Sequence, residues 1–170
     1  MTANPNLFKK YKSDIFYESG TYYGDSVKAA LDAGFERIVS TEVFEPIFNK
    51  TRVLFEGNQF VSCLYGDTVT VLKSVLPTFL GKKVTFWLDG HYSGPGTGGE
   101  KNPFPIIEEL EAILAAKNSG YISRPIILID DMRLLKDKEL QMIEIIKKID
   151  PEYVIEYEDG FVQKDILVAK

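Results

Sequence analysis

The amino-acid sequence predicts an α/β fold: a mainly parallel seven-stranded sheet that ends in an antiparallel hairpin, with helices on both faces. Three observations carry the prediction. From Asp14 onward, short β-rich runs alternate with segments of helical period. Glycines or acids follow the strand-like runs, where open α/β sheets turn toward their ligands. The chain closes on two β-rich runs around an Asp159-Gly160 turn signal.

Ile15 to Tyr17 begins a buried strand that ends at Glu18. Gly20 to Gly24 is a glycine-punctuated turn into a helix that runs through Asp32, with Val27, Ala30 and Leu31 on its apolar side and Gly34 as its stop. Arg37 to Glu42 is the second strand, and Phe44 to Phe55 is the second helix, with Pro46 tolerated in its first turn. Gln59 to Tyr65 is the third strand. Thr68 to Leu80 is a helix that turns Val71, Leu72, Val75 and Phe79 toward the sheet, and Lys83 to Leu88 is an apolar fourth strand. A long loop covers Asp89 to Pro103. Phe104 to Ala116 carries Phe104, Ile107, Leu110 and Leu114 at helical spacing, Pro125 to Ile129 is the fifth strand, and Lys136 to Ile149 is an amphipathic helix. Tyr153 to Tyr157 and Val162 to Ala169 form the closing hairpin.

Residues 1–170 read as one domain, with 1–13 as a short polar segment that offers no clear substrate cap or dimerisation element. Hydrophobic residues make up 45% and charged residues 26% of the chain, as in an ordinary globular domain. The formal net charge of -5 argues against a general binder of phosphate backbones, so nucleic acid is not an expected partner. The single cysteine, Cys63, excludes an intrachain disulfide and argues against a thiolate zinc site. The first residues contain no apolar run that reads as a signal peptide or membrane span, and the expected setting is soluble and cytoplasmic.

The first chemical motif is Glu18-Ser19-Gly20-Thr21-Tyr22-Tyr23-Gly24-Asp25-Ser26, at the carboxyl end of the first strand. Gly20 and Gly24 would let the backbone approach a ligand, and the helix start that follows offers free N–H groups to an anionic group. The spacing is neither a dinucleotide fingerprint nor a phosphate-binding loop. A structural strand-to-helix turn is the alternative. Glu42, after the second strand, is placed to accept both hydroxyls of a ribose. Asp67, after the third, is placed to accept a hydrogen bond from an adenine amino group.

Together with Ser40-Thr41-Glu42, Gly66-Asp67-Thr68, Trp87-Leu88-Asp89-Gly90-His91-Tyr92 and Leu128-Ile129-Asp130-Asp131, this motif resembles the successive motifs of class I S-adenosylmethionine (SAM)-dependent methyltransferases. The resemblance spans nearly the whole chain. It is closest to small sugar and natural-product O-methyltransferases of the macrocin and novobiocin tailoring type. The resemblance implies a Rossmann-like methyltransferase sandwich with SAM as cofactor. The cofactor-binding residues it implies are Glu18, Gly20, Thr21, Gly24, Asp25, Ser26, Glu42, Asp67, Thr68 and Asp89.

Asp89 and His91 follow the fourth strand, and Asp130 and Asp131 follow the fifth, so adjacent strands deliver all four to one edge. Three carboxylates without an interleaved Lys or Arg call for a cation, and oxygen ligands suit Mg²⁺, Ca²⁺ or Mn²⁺, with Mg²⁺ or Mn²⁺ expected. In the resembling enzymes the corresponding acids bind Mg²⁺, which implies Asp89, Asp130 and Asp131 as metal ligands. There the residue two after the first acid acts as base and is usually an aspartate; here it is His91. Asp89 and His91 are therefore the expected catalytic residues, with neutral imidazole taking the hydroxyl proton. A helix cap at Asp130-Asp131 and a structural His91 are the bland alternatives. The loop from Gly94 to Gly99 reads either as a lid over the acceptor or as a passive connector.

The expected function is SAM-dependent O-methylation of a sugar or glycan hydroxyl, assisted by a divalent metal. Methylation of another small-molecule hydroxyl and a non-catalytic cofactor-binding domain, part of a larger biosynthetic protein, remain as alternatives. A nucleotide-dependent oxidoreductase is disfavoured by the missing fingerprint and the closing hairpin.

Overall fold

The computed structural model describes residues 3–170; positions 1 and 2 of the expected N-terminal segment lie outside the described residues. Seven strands form one sheet: β1 (Ile15–Ser19), β2 (Ile38–Glu42), β3 (Val61–Tyr65), β4 (Val84–Leu88), β5 (Ile126–Ile129), β6 (Ile155–Glu158) and β7 (Ile166–Ala169). Their order is β3-β2-β1-β4-β5-β7-β6. The first five pair in parallel, and β7 inserts antiparallel between β5 and β6, as the closing hairpin predicts.

Burial on both faces explains the apolar strand runs. Tyr17, Phe86, Leu88, Ile127, Ile129 and Leu167 point to one face, where α4 (Thr68–Val75), α5 (Ile106–Asn118) and α6 (Glu139–Ile149) cover them. Phe16, Trp87, Leu128 and Val168 point to the other, under α1 (Pro5–Lys10) and α2 (Asp25–Asp32). The remaining helix, α3 (Glu45–Leu54), lies against β2 and β3.

The helix α1 falls in the stretch that the sequence reads as a polar segment. At six residues it is too short for a period to show, and capping and packing hold it: Asn4 accepts a hydrogen bond from the Leu7 N–H, Pro5 opens the first turn, and Leu7 and Phe8 are buried. The Phe8 ring meets Phe16 and Trp87 at centroid distances of 4.7 and 5.0 Å, so the segment closes one face of the core. The helix expected through Leu80 ends as α-helix at Val75 and continues as a 3₁₀ turn over Leu76–Phe79. Pro77 removes a backbone donor there. The hairpin does not turn tightly at Asp159-Gly160. Residues 159–165 form a loop, in which Asp159 accepts a hydrogen bond from the Lys164 N–H at 3.0 Å, and only Ile166–Ala169 joins the sheet. Among the described residues, no helix is long and apolar enough to cross a membrane.

Strand register brings the functional segments to one edge. Ser19 lies opposite Thr41 on one side and Leu88 on the other, and Leu88 lies opposite Ile129. Gly20, Glu42, Asp89 and Asp130 therefore emerge together where the strand order reverses at β1 and β4, the position at which open α/β sheets bind ligands.

Candidate active site

A cleft of about 840 Å³ opens at this edge, with Gly20, Glu42, Asp67, Thr68 and Asp89 among its lining residues. That volume is ample for a nucleoside-sized ligand. Glu42 lies in its wall, nearly buried, with one carboxylate oxygen accepting from Tyr22 N–H and the other from Phe44 N–H, each at 2.9 Å. Burial raises its carboxyl above the ordinary range, and the backbone donors oppose that rise. The same bond supports Tyr22, a non-glycine residue at φ +46°, whose carbonyl also accepts from the Thr51 hydroxyl. Asp67 caps α4 by accepting from Thr70 N–H at 2.9 Å, and it remains exposed to the cleft.

The first motif divides into a lining part and a supporting part. Gly20 sits at φ +84°, and a Cβ there would lie 3.0 Å from the Asp89 carbonyl, so the residue lets the β1 and β4 loops meet. Glu18 lies beneath the cleft, fully buried, accepting hydrogen bonds from the Ser26 and Ser40 hydroxyls, and Thr21 bonds Ser40 in turn. Burial pushes the Glu18 carboxyl well above the carboxylate range. These polar side chains tie β1, β2 and the start of α2 together under the ligand edge. Gly24 packs against the Phe55 ring, which a Cβ would approach to 2.7 Å. Asp25 pairs with Lys28 at 3.1 Å on the outer surface. Glu18, Thr21, Gly24, Asp25 and Ser26 thus do not line the cleft; they build the turn that shapes it.

At the other end of the cleft, His91 lies between two acids. Its Nδ1 is 3.6 Å from Asp89 Oδ1 and its Nε2 is 3.2 Å from Asp131 Oδ2, with the Ser93 hydroxyl 3.0 Å from Nε2. The ring stacks on Phe104, nearly parallel at 6.1 Å. Asp89 first, and Asp131 with it, hold the imidazole above its ordinary pKa, against an opposing effect of burial. Burial has the opposite effect on the Asp89 carboxyl, which it raises.

The acids at this edge form two groups among the described residues: Asp89, His91 and Asp131, and separately Asp130, Asp131 and Asp165. Asp89 and Asp130 do not converge in one group. Arg133 stands in the second group, 2.5 Å from Asp131 Oδ1 and in contact with Asp165 Oδ2. Acids without an interleaved cation call for a metal, and Arg133, two residues after Asp131, is a cation at this edge. Arg133 and His91 engage the two Asp131 oxygens and Arg133 holds both Asp165 oxygens, so the second group already carries a cationic side chain.

No family model and no curated protein sequence matches this chain. Solved structures do. An O-methyltransferase from Bacillus cereus in complex with S-adenosylhomocysteine (SAH) superposes with a TM-score of 0.65 at 16% identity, over 97% of this chain and 77% of that one. The SAH-bound Podospora anserina methyltransferase PaMTH1 gives 0.64 at 15% identity, over 98% and 75%. TomG from Streptomyces achromogenes, an O-methyltransferase of tomaymycin synthesis in complex with SAM, gives 0.59 at 13%, over 97% and 76%. The fold is that of the class I methyltransferases.

Within the class I methyltransferase fold, the glycine-rich loop expected as lid or connector crosses the cleft. Gly96 to Asn102 line it, and Gly98 seats against Val43 and Phe44 after β2, so the loop roofs the Glu42 end. Sequence reasoning missed three residues of the edge. Arg133 was legible as a cation beside the acids. Asp165 was not, because β7 brings it there from far along the chain. Glu109, on the buried face of α5, accepts from the Thr68 hydroxyl at 2.8 Å, and burial pushes its carboxyl up to about 7. An acid among Ile106, Leu110 and Ile113 was the available signal.

Proposed function

We propose that this protein transfers a methyl group from SAM to a hydroxyl oxygen of a sugar or glycan, with His91 as general base. The observation that carries the reading is His91 held between Asp89 and Asp131 at the lip of a cleft whose opposite end presents Glu42 and Asp67. The donor chemistry fits SAM: Glu42 offers carboxylate oxygens for ribose hydroxyls and Asp67 an acceptor for an adenine amino group. Bound there, SAM supplies a methyl group on a sulfonium and leaves as SAH once the carbon–sulfur bond is exchanged for a carbon–oxygen bond.

A carboxylate lies beside each ring nitrogen, Asp89 at Nδ1 and Asp131 at Nε2; in the neutral tautomer protonated on Nδ1, facing Asp89, Nε2 is the nitrogen that accepts a proton. Nε2 takes the hydroxyl proton as the oxygen bonds to carbon, and then returns it to solvent. Tyr92 and Ser93, close after His91, and Thr97 and Asn102 of the roofing loop line the cleft and offer hydrogen-bond partners and an aromatic face to a polyhydroxylated acceptor. Positioning the hydroxyl against the methyl group supplies much of the rate.

The test is methyl transfer from labelled SAM to a panel of glycans, monosaccharides and catechols. The proposal predicts a methyl ether on a glycan or sugar hydroxyl. Transfer only to catechols would move the acceptor to another hydroxyl class. SAH binding with no transfer to any hydroxyl would favour a non-catalytic cofactor-binding domain.

A further inference from the structure

We propose that the Arg133 guanidinium is the resident cation of the acidic edge, standing between Asp131 and Asp165 where a divalent metal would otherwise be needed. Its consequence for catalysis rests on the hydroxyl-methylation reading above; the charge arrangement itself does not.

The local chain is built to hold this side chain. Asp131 adopts a left-handed conformation at φ +58°, its N–H donating to Asp130 Oδ1 at 2.8 Å and its carbonyl accepting from Leu134 N–H at 2.8 Å. The short 3₁₀ turn Met132–Leu134 then folds Arg133 back along the edge. Met132 N–H donates to the Asp165 carbonyl, and Arg133 N–H donates to Asp165 Oδ1, each at 2.9 Å. The guanidinium contacts Asp165 Oδ2 and Asp131 Oδ1, and stacks over the Phe161 ring at 4.9 Å.

The Asp165 side chain is wholly buried, so its charge needs a permanent partner inside the protein. Arg133 supplies it through Nη1, while its own backbone N–H holds the other Asp165 oxygen. Nη1 also draws on Asp131, whose other oxygen faces His91 Nε2. Asp131 thus bridges Arg133 and His91 through its two carboxylate oxygens. Arg133 is thus a positioning residue: it sets the charge of the edge at which the hydroxyl is deprotonated, and it does so without metal.

The experiment follows Mn²⁺ by its paramagnetic resonance spectrum with the 170-residue chain, and methyl transfer in chelator. Wild type is expected to leave added Mn²⁺ in its free, hydrated form and to keep its rate within about twofold in EDTA, against a loss of about a hundredfold or more where a metal carries the charge. In Arg133→Met the vacated acids are expected to take up Mn²⁺, with a rise in melting temperature on adding it, and the further change Asp131→Asn is expected to abolish that binding. Arg133→Lys keeps a charge and is expected to take up none. Mn²⁺ bound by wild type and lost in Asp131→Asn would overturn the proposal, as would a metal-restored rate after chelation. Should Arg133→Met fail to fold, the wild-type Mn²⁺ spectrum still decides. Failure of the methylation reading shows separately, as absent SAH binding.

Discussion

Replacing His91 by alanine is expected to lower methyl transfer by about two to four orders of magnitude, the usual contribution of a positioned base. SAH affinity should stay near that of wild type, because the ring stands at the acceptor end of the cleft, away from Glu42 and Asp67. The pH profile supplies a second readout. Asp89 and Asp131 raise His91 above its ordinary 6.5, and the base works only when deprotonated. Activity should therefore fall as pH drops through that raised value, and kcat/KM should climb with pH and level off above it. Asp89→Asn removes the largest raising influence and should move the acidic limb to lower pH. A near-wild-type rate in His91→Ala, or a limb that Asp89→Asn does not move, would reassign the base.

The second large effect is at the other end of the cleft. Glu42→Gln is expected to weaken SAH binding by about 10- to 100-fold, since a carboxylate hydrogen bond contributes on the order of 1.5 to 3 kcal/mol. The amide also turns one of its two positions into a donor, facing the Tyr22 or Phe44 N–H that Glu42 now satisfies. The loop that carries Tyr22 in its left-handed conformation would loosen with it. Calorimetric titration with SAH measures the change, and a melting curve confirms that the variant is folded. Unchanged affinity would remove Glu42 from the cofactor site.

The sheet was legible because its central strands are buried on both sides. Phe16 and Tyr17, or Trp87 and Leu88, are adjacent in sequence yet face opposite cores, and that demands apolar residues without alternation. The acids and glycines that interrupt these runs mark the ligand edge for the same reason: they stand where the strand leaves the core. What the sequence could not display was which way each side chain turns once there. Glu18 and Glu42 both close strand-like runs, but Glu18 lies in register with Ser40, beneath the edge in a cage of hydroxyls, whereas Glu42 is two residues beyond Ser40 and reaches the cleft wall. The N-terminal helix and the Arg133–Asp165 pair were hidden for a different reason. The first has too few residues for a period, and the second exists only because β7 inserts beside β5.

The central claim is that the cleft at the β1 and β4 strand ends binds SAM, and calorimetry with SAH and NADH tests it most directly. The account predicts saturable SAH binding at one site per chain, displaced by SAM and weakened in Glu42→Gln, with no heat from NADH. Tight NADH binding in a protein that ignores SAH would contradict it.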